Sequence, residues 1–162
     1  MLASLAKLVA RPRVTDWLIR RALRTPYTHI GATDGQGDYM RRYWLFNPYP
    51  PASSGKSNWF PISIRLHHIR RPDQDRHLHD HPWNARTFIL RGGYVEVRED
   101  GEKHYRWAGS TTALRFGEYH RIVQVSSGGA WTLFVTGKYQ GTWGFLVDGA
   151  KVQWRKYLGL PE

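Results

Sequence analysis

The stretch Arg76-His77-Leu78-His79-Asp80-His81-Pro82-Trp83-Asn84-Ala85-Arg86-Thr87-Phe88-Ile89-Leu90-Arg91-Gly92 decides how the rest of the chain is read. Three histidines stand there at alternate positions. In an extended strand residues i and i+2 point to the same face, so the spacing lets His79 and His81 reach one ion. Neutral imidazole suits Zn, Fe, Cu and Ni, and a third ligand from elsewhere would complete a set with open positions for water or substrate.

A second stretch supplies a candidate, His120, in Gly109-Ser110-Thr111-Thr112-Ala113-Leu114-Arg115-Phe116-Gly117-Glu118-Tyr119-His120-Arg121-Ile122-Val123-Gln124. His77 shares the parity of His79, so a set of His77, His79 and His120 stands as the alternative to His79, His81 and His120. His29, His67, His68 and His104 have no such support and read as surface or core histidines.

Together the two stretches resemble the signature motifs of the cupin family, the first HxH followed by Glu and Gly, the second G-x5-P-x-G-x2-H-x3-N. The first matches at His79, His81 and Gly92, the second at Gly109, Gly117 and His120 with the spacing kept. Arg86 stands where the family has its glutamate ligand, Arg115 replaces the proline and Gln124 the asparagine. The resemblance covers about residues 60 to 147. It implies an all-β fold, a single antiparallel double-stranded β-helix or jelly-roll barrel, with a divalent metal on His79, His81 and His120 and no carboxylate ligand. The His79-Asp80-His81 tripeptide is similar to that of thiol dioxygenases, cupins that hold Fe(II) with three histidines. Fe(II) is therefore the expected ion, with Zn, Ni or Mn as alternatives. The run also resembles small single-domain cupins of bacteria and phages.

Three further residues are candidates for the chemistry. Arg86, if it points inward, pairs with an anionic group of a substrate, and Arg65 on the preceding strand is the second choice for that role. Gln124, four residues past His120, shares its strand face and is placed to hydrogen-bond a ligand or orient a histidine.

Composition sets the bounds. The 162 residues suffice for one domain with a terminal extension. Aromatic residues make up 14%, with eight Trp and nine Tyr, which fits a β-rich interior. With no cysteine, thiolate ligands, disulfides and a cysteine nucleophile are excluded. No apolar run is long enough to span a bilayer, and the chain reads as soluble and cytoplasmic. A formal net charge of +11, from 24 Lys and Arg against 13 acids, favours encounter with anions.

Taken in order, residues 1–30 read as a basic helical arm and 31–162 as the barrel. Pro12 splits the arm into two helices, with Thr15 or Asp16 as a cap for the second. Lys7, Arg11, Arg13, Arg20, Arg21 and Arg24 face only Asp16 there, a composition suited to a polyanion such as nucleic acid or an acidic surface. An amphipathic helix more often packs on its own domain or on the second subunit of a homodimer. Residues 47–58 form a Pro/Ser/Gly loop expected at the barrel mouth, and Pro61 to Ile69 alternates, with Ile62, Ile64 and Leu66 opposite Ser63, Arg65 and His67. Glu99-Asp100-Gly101-Glu102 is a hairpin turn between strands at 94–98 and 103–107. Strands are also expected at 39–46, 86–90, 111–115, 121–125, 131–136, 143–147 and 152–156.

The function these readings imply is an O2-dependent iron oxygenase acting on a small anionic substrate. A non-redox metal-assisted isomerase or lyase, and a non-catalytic module holding a polyanion, are the alternatives.

Overall fold

A computed structural model describes residues 1–32, 34–49 and 60–161. The expected mouth loop falls largely at 50–59, outside the described residues. The chain opens with α1 (Leu2–Val9) and α2 (Pro12–Ala22). Strands follow as β1 (Ile30–Gly31), β2 (Asp38–Phe46), β3 (Ser63–Ile69), β4 (Leu78–His79), β5 (Trp83–Arg91), β6 (Gly93–Arg98), β7 (Lys103–Trp107), β8 (Thr111–Leu114), β9 (His120–Val125), β10 (Ala130–Tyr139), β11 (Gly144–Val147) and β12 (Ala150–Gln153). A single helical turn, α3 (Trp154–Tyr157), ends the described elements.

Among the described residues all strand pairs are antiparallel, and they form two six-stranded sheets, β1-β2-β3-β10-β5-β8 and β12-β11-β4-β9-β6-β7. This is the all-β antiparallel barrel that the sequence implied. The β6–β7 hairpin closes over Asp100-Gly101, with Gly101 at φ 76° as a tight turn requires. Gly92, between β5 and β6, has φ 69°, and a Cβ there would lie 2.2 Å from the Gly129 carbonyl oxygen. Only glycine fits that corner.

Register fixes what faces inward. Across β3, β10 and β5 the rows are Ser63–Thr136–Ala85, Arg65–Phe134–Thr87 and His67–Thr132–Ile89. They alternate with rows facing the other way, such as Ile64–Val135–Arg86 and Leu66–Leu133–Phe88. The first set lines the interior, since His67 and His81 both pack on Phe134. One end of the interior is plugged by Ile69, Ile89, Tyr94, Ile122 and Ala130, drawn from both sheets. The rest is polar.

The outward face of the first sheet is covered by the arm. Ala22 of α2 is buried with Tyr43, Leu66 and Leu90, flanked by Val9, Leu18 and Ile19. Thr15 does not cap α2; Arg11 is its N-cap and Pro12 its first residue, where a missing N–H costs nothing. Thr15 instead donates to the Val9 carbonyl at 2.9 Å, and Asp16 pairs with Arg91 of β5. The strand expected at 152–156 ends at Gln153, whose side chain accepts from the Arg155 and Lys156 amides and starts α3. Among the described residues no helix is long and apolar enough to cross a membrane.

Candidate metal centre

His79, His81 and His120 converge, with one ligand-capable atom of each lying within 4.8 Å of the others. The two members of the His79-Asp80-His81 tripeptide do not share a strand as the spacing suggested. β4 ends at His79, and the chain turns at Asp80–Pro82 to enter β5 in the other sheet. Asp80 anchors this corner. Fully buried, it accepts from the Gly144 amide at 2.7 Å and from Lys151 Nζ at 2.6 Å. With Asp80 tied to the sheet's edge, the histidines on either side of it are left to face His120.

His79 stands opposite His120 in the β4–β9 ladder, their ring centroids 4.8 Å apart. His81 Nε2 lies 3.1 Å from His120 Nε2. Neighbouring ligands on one ion, each at about 2.1 Å, are separated by roughly 3.0 Å at right angles and 3.4 Å in a tetrahedron, so this spacing fits a metal. Burial, together with the neighbouring His120, depresses His79 to a pKa of about 4 and His81 well below its ordinary value. Both are therefore neutral at physiological pH, the form that ligates. The donor set fits a divalent ion.

His120 is oriented by a residue that the sequence reading passed over. Glu96 on β6 is 1% exposed, and its Oε2 accepts from His120 Nδ1 at 3.1 Å. A carboxylate only accepts, so Nδ1 carries the proton and the Nε2 lone pair is left for an ion. Arg98 and Arg106 both donate to Glu96 Oε1. Burial alone would raise the Glu96 pKa, but the His120 hydrogen bond and the Arg98 charge outweigh it and hold it at about 2. The sequence did carry a signal: Tyr94, Glu96 and Arg98 share one parity, and the Asp100-Gly101 hairpin brings Arg106 beside them.

His77 is excluded from the cluster, since its Nδ1 lies 3.0 Å from the Tyr157 hydroxyl. Arg86 is not at the site either. It shares the outward row of Val135, comes within 3.5 Å of Thr111 Oγ1, and lines an open groove with Ile62 and Asn84. The corner at Asp80–Pro82 breaks the parity that would have turned it inward. Gln124 is exposed, because a bulge opposite Val95/Glu96 skips Val123 in the pairing and puts Gln124 on the opposite face from His120.

Arg65 does face the interior. It is 7% exposed, with its guanidinium carbon 4.7 Å from the Trp44 ring centroid and 4.8 Å from that of Trp83. Its charge helps to keep His81 neutral. His67, which had no support in the sequence, lies beside it on the inner face and is 8% exposed.

No family model matches the sequence, and no curated protein matches it. Solved structures do share its fold. The chain is similar to a cupin-2 domain from Rhodospirillum rubrum, with a TM-score of 0.54 and 10% identity over 75% of this chain and 74% of that one. It is also similar to a polyketide cyclase from Streptomyces resistomycificus, with a TM-score of 0.53 and 14% identity over 76% and 80%. A sugar phosphate isomerase of the cupin superfamily from Silicibacter pomeroyi gives a TM-score of 0.51 and 18% identity over 76% and 75%. Proteins named for such different roles share one barrel, so the likeness speaks to architecture and leaves the reaction to the site. With two antiparallel sheets and three histidines converging between them, the chain has the cupin fold.

Proposed function

We propose that this chain is a mononuclear metal enzyme, an Fe(II)- and O2-dependent oxygenase acting on a small anionic substrate. The observation that supports it is the convergence of three histidines with no carboxylate among them, beside a buried arginine. His79, His81 and His120 would hold the ion. A facial set of three neutral ligands leaves about three positions open on an octahedral ion, and iron there would supply redox chemistry with O2.

The chain's own residues have distinct tasks in this reading. Glu96 keeps the His120 proton on Nδ1 and the ring in place. Arg65 takes the anionic group of the substrate in a charge-assisted hydrogen bond. Trp83 and Phe134 pack on His81, and Trp143 and Phe145 on His79, excluding water from that side of the cluster. A non-redox isomerase or lyase would use the same residues to hold an ion that polarises a carbonyl.

Elemental analysis of freshly purified protein, followed by oxygen-electrode assays of the iron-loaded chain with a panel of small carboxylates and phosphates, tests the proposal. Iron close to one per chain and substrate-dependent O2 uptake are expected. Tightly held zinc without O2 uptake would overturn it.

A further inference from the structure

Beside the histidine cluster the barrel holds a concentration of buried side-chain nitrogens. Arg65 Nε, His67 Nε2 and Trp83 Nε1 are all buried without a hydrogen-bond partner among the described residues. Such groups are rare in native interiors because a buried polar atom left unpaired is costly, the more so when charged. The three belong to one neighbourhood. The Arg65 guanidinium packs on the Trp83 ring, and Arg65 and His67 are successive inward residues of β3.

A second cation joins them. Arg42 stands opposite His67 in the β2–β3 ladder, its guanidinium 4.7 Å from the Tyr27 ring centroid, while that of Arg65 lies 5.9 Å from the same ring. Arg42 donates to the Thr28 carbonyl oxygen at 2.6 Å. Neither arginine has a carboxylate within ion-pair distance among the described residues, although the other arginines of the interior, Arg98 and Arg106, share Glu96. The Arg65 guanidinium is buried and that of Arg42 half-buried; gathered on one Tyr27 ring they repel each other, and a bound anion with two negative charges relieves both. Aromatic rings hold the Arg65 guanidinium, and its Nε–H is left to donate to an oxyanion.

We propose that Arg65 and Arg42, with the ring N–H groups of His67 and Trp83, form a recognition site for a phosphate-type dianionic group that anchors the substrate beside His81. Trp83 stacks on His81 at 6.3 Å and Phe134 touches both His67 and His81, so the rest of an anchored molecule would lie against the histidine cluster. The proposal rests on the reading of the barrel interior as the substrate site, and it narrows the substrate class to small phosphorylated or phosphonate-like molecules.

The test is calorimetric titration of the full-length chain with inorganic phosphate and, at matched ionic strength, with acetate, following Trp44 and Trp83 emission in parallel. Phosphate should bind at least tenfold more tightly than acetate. Arg65→Met and Arg42→Met should each weaken phosphate at least tenfold, and Arg65→Lys, which keeps the charge and the fold but loses the planar fork, should weaken it less. Arg20→Gln/Arg21→Gln on the outer surface should leave it unchanged. Wild-type phosphate affinity in folded Arg65→Met or Arg65→Lys, equal binding of acetate, or loss in the surface variant would overturn the proposal. Metal content of the same samples separates this outcome from the redox reading, because loss of phosphate binding with the metal retained concerns the anion site alone.

Discussion

Glu96 Oε2 accepts a hydrogen bond from His120 Nδ1 at 3.1 Å inside the barrel, joining the only buried glutamate among the described residues to the histidine cluster. Glu96→Gln should leave the ring less firmly held and Arg98 and Arg106 without their shared carboxylate. Metal affinity should drop about 10–100-fold. Stability should fall by about 3–5 kcal/mol, the usual effect of removing one partner from buried charges. Metal titration and urea unfolding measure the two losses separately.

His79→Ala, His81→Ala and His120→Ala should each largely abolish metal binding, since two remaining ligands hold an ion poorly. His77→Ala should retain the metal, because His77 is bonded to Tyr157 and lies outside the cluster. Inductively coupled plasma analysis of the four variants gives the result directly.

Arg86→Glu and Arg86→Ala should bind metal with the affinity of the unaltered chain. A glutamate at this position meets Val135 and Thr111 on the outer face, where it has no route to the histidines. Tighter binding by Arg86→Glu alone, in titrations with Co(II), would show that the strand can turn inward.

Acid should destabilise the fold through His67. Burial, aided by the charges of Arg65 and Arg42, holds its pKa well below 6.5. The unfolded chain then takes up a proton below about pH 6.5 that the folded chain refuses, so this contribution is complete above that pH and is lost as pH falls toward the folded value. Urea midpoints measured from pH 7 downward should decline less steeply in His67→Phe.

Deleting residues 1–24 should make the barrel insoluble or strongly destabilised, because α1 and α2 cover Tyr43, Leu66 and Leu90. The opposite side of the helices exposes Leu2, Leu5, Leu8 and Trp17 among the arm's bases. Replacing Arg11, Arg13, Arg20, Arg21 and Arg24 by Gln should therefore keep the fold while lowering the salt concentration at which the chain leaves heparin, the expected sign for a polyanion held by this face.

What the sequence determined by itself was local or carried by spacing. Alternation along residues 63–69 made β3, Asp100-Gly101 made the β6–β7 hairpin, and the paired motifs selected His79, His81 and His120 with their glycines. Only the tertiary structure decided which side of each strand faced the ion. Period-two parity holds while a ladder is unbroken, and two breaks misplaced the candidates: the Asp80–Pro82 corner, which turned Arg86 outward, and the bulge near Val123, which did the same to Gln124. Glu96 looked like an ordinary charged residue in a strand, and Arg65 stood only second to Arg86 as a partner for an anion. Burial between two sheets, a property of residues distant in the chain, made one the partner of His120 and left the other a buried cation without a counter-charge among the described residues.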